Sequence, residues 1–162
     1  MAIHHLTRQL DIHAPIQAVW EQLLELQTYP SWNPFIIQAT GSGPAHQPGT
    51  LLTFTVKWHN GKTSSSVEEV QQALPPSKDA DGVLRAQWVY RYKTWVSAIG
   101  MIQSVRTQTL QQSLGQPTHY HSALELKGWG SQFAPLEKIE RGLATQGKAL
   151  KQTLEALHGV GT

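Results

Sequence analysis

The densest chemistry in the chain lies at His119-Tyr120-His121-Ser122-Ala123-Leu124-Glu125-Leu126. Imidazole, phenol, hydroxyl and carboxylate side chains crowded together are the groups that perform general acid–base work. Side chains alternate between faces along a strand, so the stretch divides into two sets. With Tyr120, Ser122, Leu124 and Leu126 turned inward, His119, His121 and Glu125 face solvent, and the interior holds hydroxyls without a base. A slip of one residue exchanges the faces. His119 and His121 would then lie two apart on the inner face, as an acid–base group or a weak metal pair. Leu124 and Leu126 favour the first arrangement, because the slip exposes both. His119, Tyr120 and His121 are therefore the catalytic candidates, subject to a register that the fold decides. Arg106 is a separate candidate, since a buried guanidinium binds a carboxylate or phenolate. However, Thr107 and Thr109 facing inward would place Arg106 outside.

Several chemistries are excluded. The chain has no cysteine, so it forms no disulfide, thiolate nucleophile or cysteine-based zinc site. Its 8 histidines show no His-Glu-x-x-His spacing. No metal site and no cofactor are expected. Gly41-Ser42-Gly43 lacks the following helix and glycine spacing of a nucleotide loop. No serine lies in a nucleophile elbow. Net charge is +2 and the basic residues are scattered, which gives no footprint for nucleic acid. No run approaches the roughly 18 apolar residues of a membrane-crossing helix, so stable membrane insertion is not expected. Met1-Ala2-Ile3-His4-His5 has no apolar signal core, and a reducing cytoplasmic setting is the default.

The elements that would position these groups follow from hydrophobic period. Leu6 to Ile12 alternates as a first strand. Ile16, Val19, Trp20 and Leu23 then recur at helical spacing behind Pro15, and Pro30 should end that helix. Ser31 to Phe35 reads as a second short helix with Asn33 as cap and Pro34 as its first residue. Strands follow. Leu52, Phe54, Val56 and Trp58 share one face, and Asn60-Gly61 signals a two-residue hairpin. A polar strand runs from Thr63 to Leu74, and Pro75 to Gly82 is a loop. Leu84, Ala86, Trp88, Tyr90 and Tyr92 alternate on one face. Ile102–Ser113 and Thr118–Lys127 make the last hairpin. Gly128-Trp129-Gly130 is either a plain turn or a hinge that helps admit ligand.

Leu136, Leu143, Leu150 and Leu157 fall every seven residues, with Ile139 and Leu154 beside them. They predict one long amphipathic helix from about Ala134 to His158. Gly147 lies near its inner stripe, either to let helix and sheet pack closely or to leave space for a ligand. The fold class is α+β. The expected architecture is a curved, seven-stranded antiparallel sheet with two short helices, gripping the long C-terminal helix around a cavity. The 162 residues form a single domain.

Ile12-His13-Ala14-Pro15-Ile16-Gln17-Ala18-Val19-Trp20 and Tyr29-Pro30-Ser31-Trp32-Asn33-Pro34-Phe35 resemble the START-like (SRPBCC) superfamily, in its polyketide cyclase/dehydrase-like branch. Gly49-Thr50-Leu51-Leu52 and the stretch Ala149 to Glu155 are similar to it too. The resemblance spans nearly the whole chain and implies a helix-grip fold with an internal apolar cavity. It implies binding or carriage of a small hydrophobic ligand such as a lipid, polyketide or quinone. The alternative is a cyclase or dehydratase using a pocket histidine or tyrosine. A third reading is a protein-interaction module with a filled cavity, and a homodimer is possible. Carried over by position, Trp32 and Phe35 sit near the mouth. Phe54, Val56, Trp88 and Tyr90 point in from the strands. Leu136, Leu143 and Gly147 close the pocket from the helix. Tyr90, Thr107, Tyr120 and Ser122 would orient the ligand, with Leu124 on the same wall.

Overall fold

A computed structural model describes residues 3–158. The first strand, β1 (His4–Ile12), leads into α1 (Ile16–Leu24), a tight 3-10 turn (Leu26–Thr28) and α2 (Tyr29–Trp32). Then come β2 (Ile36–Gly41), β3 (Leu51–Lys57), β4 (Thr63–Lys78) and β5 (Leu84–Tyr92). A short helix, α3 (Trp95–Ala98), precedes β6 (Gln103–Gln112) and β7 (Thr118–Lys127). A second 3-10 turn (Ser131–Phe133) leads to α4 (Leu136–Leu157).

The 7 strands form one sheet in the order β1-β7-β6-β5-β4-β3-β2, with every neighbouring pair antiparallel. The α1–α2 segment carries the chain from one sheet edge to the other. On α1, Ile16, Val19, Trp20 and Leu23 are all buried. Helix α4 packs against β1, α1 and α2, burying Leu143, Leu150 and Leu154. Each such leucine contributes roughly 1.5–3 kcal/mol before the entropy of ordering is subtracted. The outer members of the leucine stripe bury less: Leu136 is half-buried and Leu157 is 70% exposed.

Four local readings are corrected. Helix α1 stops at Leu24, and Pro30 lies in the first turn of α2, where a missing N–H costs nothing. The Tyr29 hydroxyl donates to the Leu23 carbonyl at 2.6 Å, satisfying an orphan group at the end of α1. Asn33 follows a helix rather than starting one. Its Oδ1 accepts the N–H groups of Phe35 (3.0 Å) and Ile36 (2.8 Å) and turns the chain into β2.

The Asn60-Gly61 hairpin is one residue longer than expected. Trp58 N–H donates to the Lys62 carbonyl, Gly61 N–H donates to the Trp58 carbonyl, and Gly61 has φ 83°. This is a turn closed by a left-handed residue, a conformation that favours glycine.

Strand β4 does not end at Leu74. It runs through Pro75-Pro76 to Lys78, with a register shift between Leu74 and Ser77. Pairing with β3 spans only Thr63 to Glu69. Val70 is still bonded to Gly49 and Thr50, and beyond it β4 has a free side, where proline forfeits no ladder bond.

Candidate ligand-binding site

The faces of the strands are fixed by pairing. Ala86, Trp88 and Tyr90 are buried on β5, and their partners on β6 are Leu110, Gln108 and Arg106. Arg106 therefore points into the fold and is only 5% exposed, while Thr107 lies on the opposite face. This reverses the orientation expected for the pair. The physical reason is Leu110, which is 1% exposed and takes Gln108 and Arg106 inward with it at every second position.

On β7 the expected register holds. Tyr120 and Ser122 are buried, and Leu124 and Leu126 face the same way. His119 lies on the outer face, with Nδ1 2.8 Å from Asp11 Oδ1 and Nε2 3.1 Å from Gln9 Oε1. His121 shares that face, opposite Gln9. Neither histidine reaches the interior. No group of His, Asp or Glu suited to a metal occurs among the described residues.

Between the sheet and the start of α4 lies a cavity of about 300 Å³. Its apolar wall includes Phe35, Phe54 and Val56 on one side, Leu124 and Leu126 on another, and Ile139 and Leu143 from α4. Its exposed members, Ser64, Ser65 and Pro135, mark the open side. Phe54 and Tyr90 pack with ring centroids 5.5 Å apart. Phe35 and Trp58 pack edge to face at 5.6 Å.

The polar end is built on Arg106. Its Nε donates to Ser122 Oγ at 3.1 Å, one Nη to the Tyr90 hydroxyl at 3.0 Å, and the other to the Tyr120 hydroxyl at 3.4 Å. Tyr120 donates to Gln108 Oε1 at 2.6 Å, and Gln108 Nε2 donates to Tyr90 at 3.3 Å. Burial works against the guanidinium charge, but the surrounding tyrosine oxygens hold the proton firmly. Burial also pushes the Tyr90 phenol up to about 12 despite the nearby Arg106 charge. Tyr90 thus stays a neutral phenol at physiological pH.

Glu68 also lies on the wall. It projects inward because β3 pairs Leu52, Phe54 and Val56 with Glu68, Ser66 and Ser64. Desolvation pushes its carboxyl from 4.5 up to about 8, against a hydrogen bond from Ser66 and the Arg106 charge. The residue is only half-buried, since part of it faces the cavity.

Phe35, Phe54, Val56, Tyr90, Leu124 and Leu143 meet at this cavity. Tyr120 and Ser122 stand behind Arg106. Trp32 is 9% exposed and packs edge to face on Tyr29 at 5.1 Å, in the core rather than at a mouth. Trp88 is fully buried and donates its indole N–H to the Ala45 carbonyl at 3.0 Å. Leu136 is half-buried and off the cavity wall. A Cβ on Gly147 would lie 3.2 Å from Leu10, so this glycine serves close packing of α4 on β1. Gly128 is likewise a packed turn, with φ 119° and room for a Cβ only 2.4 Å from the Met101 carbonyl oxygen. Glu68 is an ionisable cavity residue that sequence patterning does not select, and Arg106, a candidate there, faces the cavity rather than the outside expected for it.

A larger groove of about 550 Å³ runs outside the grip, past Arg91, Lys93, Trp95 and Lys127. Its cations are engaged at the surface: Arg91 and Lys93 reach Glu69 at 2.9 and 3.1 Å. It has no enclosed apolar wall, and the internal cavity is the better ligand site on physical grounds.

A family model described as "Polyketide cyclase / dehydrase and lipid transport" matches residues 4–155. No curated protein matches the chain. Among solved structures, a START superfamily protein from Mycobacterium smegmatis is 15% identical, with TM-score 0.67 and coverage of 95% of this chain and 99% of that one. The major latex-like protein 151 from Panax ginseng is 9% identical, with TM-score 0.70 and coverage of 95% and 99%. The di-domain ARO/CYC StfQ of the steffimycin biosynthetic pathway is 9% identical, with TM-score 0.70, covering 98% of this chain and 52% of that one. At such identities the structural likeness speaks for the helix-grip fold alone. The family match covers nearly the whole chain, which therefore belongs to the polyketide cyclase/dehydrase and lipid transport family.

Proposed function

We propose that this protein binds and carries a small hydrophobic ligand in the cavity between its sheet and α4. The observation that carries this reading is the cavity itself: about 300 Å³ of space under aromatic and aliphatic walls, with polar groups gathered at Arg106 and Tyr90. Ligand pockets range over roughly 300–1,000 Å³ and combine apolar lining with a few placed polar groups, so the cavity suits a compact ligand. Burial of the ligand's apolar surface supplies affinity at about 25 cal/mol per Å² before the costs of association. Family membership supports the same reading.

Catalysis by His119 or His121 is disfavoured, because both lie on the outer face. Tyr120 is inward, but its hydroxyl is engaged with Gln108 behind the cavity wall. No helix among the described residues is long and apolar enough to cross a membrane.

Native mass spectrometry of the whole chain tests the proposal. The protein is incubated with neutral lipophiles, namely fatty alcohols, a sterol, a short-chain quinone and a polycyclic aromatic ketone. One ligand per chain is the expected stoichiometry for at least one class. Absence of any adduct with these and with acidic lipophiles contradicts the carrier reading.

A further inference from the structure

Arg106 is the one charged residue in the buried set among the described residues, and no carboxylate bridges it. All its acceptors are neutral: a serine hydroxyl and two phenols. The one carboxyl on the same wall is Glu68, which desolvation keeps largely protonated near neutral pH. An unpaired buried charge is costly, because its lost hydration is not repaid by a counter-charge. Here the only approach left for a counter-charge is from the cavity.

The hydrogen-bond inventory agrees. Of the several N–H groups of a guanidinium, only 3 have protein acceptors here. Tyr90 accepts from both Arg106 and Gln108, and its own hydroxyl proton has no protein acceptor among the described residues. Tyr90, Arg106 and protonated Glu68 thus offer unspent donors on one wall. At this end of the cavity a buried cation and neutral hydroxyl donors converge with no counter-charge, which is the chemistry of an anion receptor.

We propose that the ligand of this cavity is a hydrophobic carboxylate whose anionic head sits on Arg106 and Tyr90, while its apolar body lies along Phe54, Val56, Leu124 and Leu143. This rests on the reading of the cavity as the ligand site and adds the class of ligand. Binding is then coupled to Glu68. Apart from Arg106 on β6, the ionisable wall residues are Tyr90 and Tyr92 on β5; β3, β7 and α4 contribute apolar side chains. While Glu68 is protonated it adds a donor beside the anion. Once ionised it opposes the anion, so affinity falls as pH rises through about 8.

The test titrates the whole chain with naphthoate, its methyl ester and naphthalenemethanol, between about pH 6.5 and about pH 9.5. Naphthoate remains ionised throughout, so any pH dependence belongs to the protein. Near pH 7 the acid is expected to bind roughly 10- to 100-fold more tightly than the ester. R106M is expected to remove that preference while still binding the ester. E68Q is expected to keep the preference and lose the weakening above about pH 8. Equal affinity for acid and ester overturns the proposal and leaves the carrier reading standing. Binding of none of the three probes overturns it as well, and the neutral lipophiles then decide the carrier reading separately. The acid–ester comparison in the unaltered protein stands even if R106M does not fold.

Discussion

Two neighbouring rungs of the β5–β6 ladder end in different environments. At one rung Trp88 pairs with Gln108, and both are fully enclosed, with the indole N–H satisfied by the Ala45 carbonyl. At the next inward rung Tyr90 pairs with Arg106, and both border empty space. The same sheet face is thus closed core at one end and hollow at the other. At the core rung the Trp88 indole and the Gln108 amide are paired within the protein. The hollow end leaves donors without protein acceptors, and only a ligand or solvent can use them. Stability is concentrated at the first end and recognition at the second.

That contrast orders the expected effects of mutation. Trp88→Ala should cost the most, about 3–5 kcal/mol, because it opens a cavity in closed core. Urea denaturation measures it, and Phe54→Ala at the edge of the existing cavity should cost less. A loss for Trp88→Ala no greater than for Phe54→Ala would erase the distinction.

Glu68 should make stability depend on pH. Its folded-state value is raised above 4.5 to about 8, so its favourable contribution is complete below about pH 4.5 and is lost as pH rises through about 8. Glu68→Gln should match the parent near about pH 4 and exceed it near about pH 9. The gap should be on the order of 2 kcal/mol, once discounted for water reaching the cavity. Parallel stability–pH curves would show that Glu68 ionises as freely as a surface carboxylate.

Gly142 sits where α4 meets the cavity wall. A Cβ there would fall 2.3 Å from ring atoms of Phe35, so Gly142→Ala must move that ring. Overpacking of this kind costs about 1–3 kcal/mol, against a gain of roughly 1 kcal/mol in helix propensity. Thermal denaturation should show a small net loss, together with altered ligand affinity. Gly147→Ala should be the mildest change, within about 1 kcal/mol of neutral. Its Cβ meets only Leu10 and Arg8 of β1, so ligand affinity should stay the same. A change in affinity there would move the site toward β1.

Much of this architecture can be read before any coordinates. The leucine spacing of α4, the Ile16–Leu23 stripe and the alternation of β3, β5 and β7 all place the core correctly. The inner face of β7 follows from Leu124 and Leu126, which removes both histidines from the interior. The polar end of the cavity is harder to read, because it depends on register rather than on residue type. β6 carries polar or β-branched side chains on both faces, and a single buried leucine, Leu110, decides between them. Thr107 looks better suited to an interior than Arg106, yet the β5 pairing places the arginine inside.

Glu68 is hidden by a similar one-residue question. A two-residue turn at Asn60-Gly61 would have set Glu69 opposite Leu52. The longer turn closed by Gly61 sets Glu68 there and sends Glu69 to the surface, where it bridges Arg91 and Lys93. One turn residue therefore decides which carboxylate belongs to the cavity.

The central claim is that the hollow end of the grip is where ligand binds. The most direct test is backbone amide NMR of the whole chain, with and without whichever lipophile binds in the mass-spectrometric screen. The account predicts shift changes concentrated at Phe54, Tyr90, Arg106, Leu124 and Leu143, with Trp88 and Gly147 unmoved. Changes clustered instead along the outer groove at Lys93, Trp95 and Lys127 would contradict it.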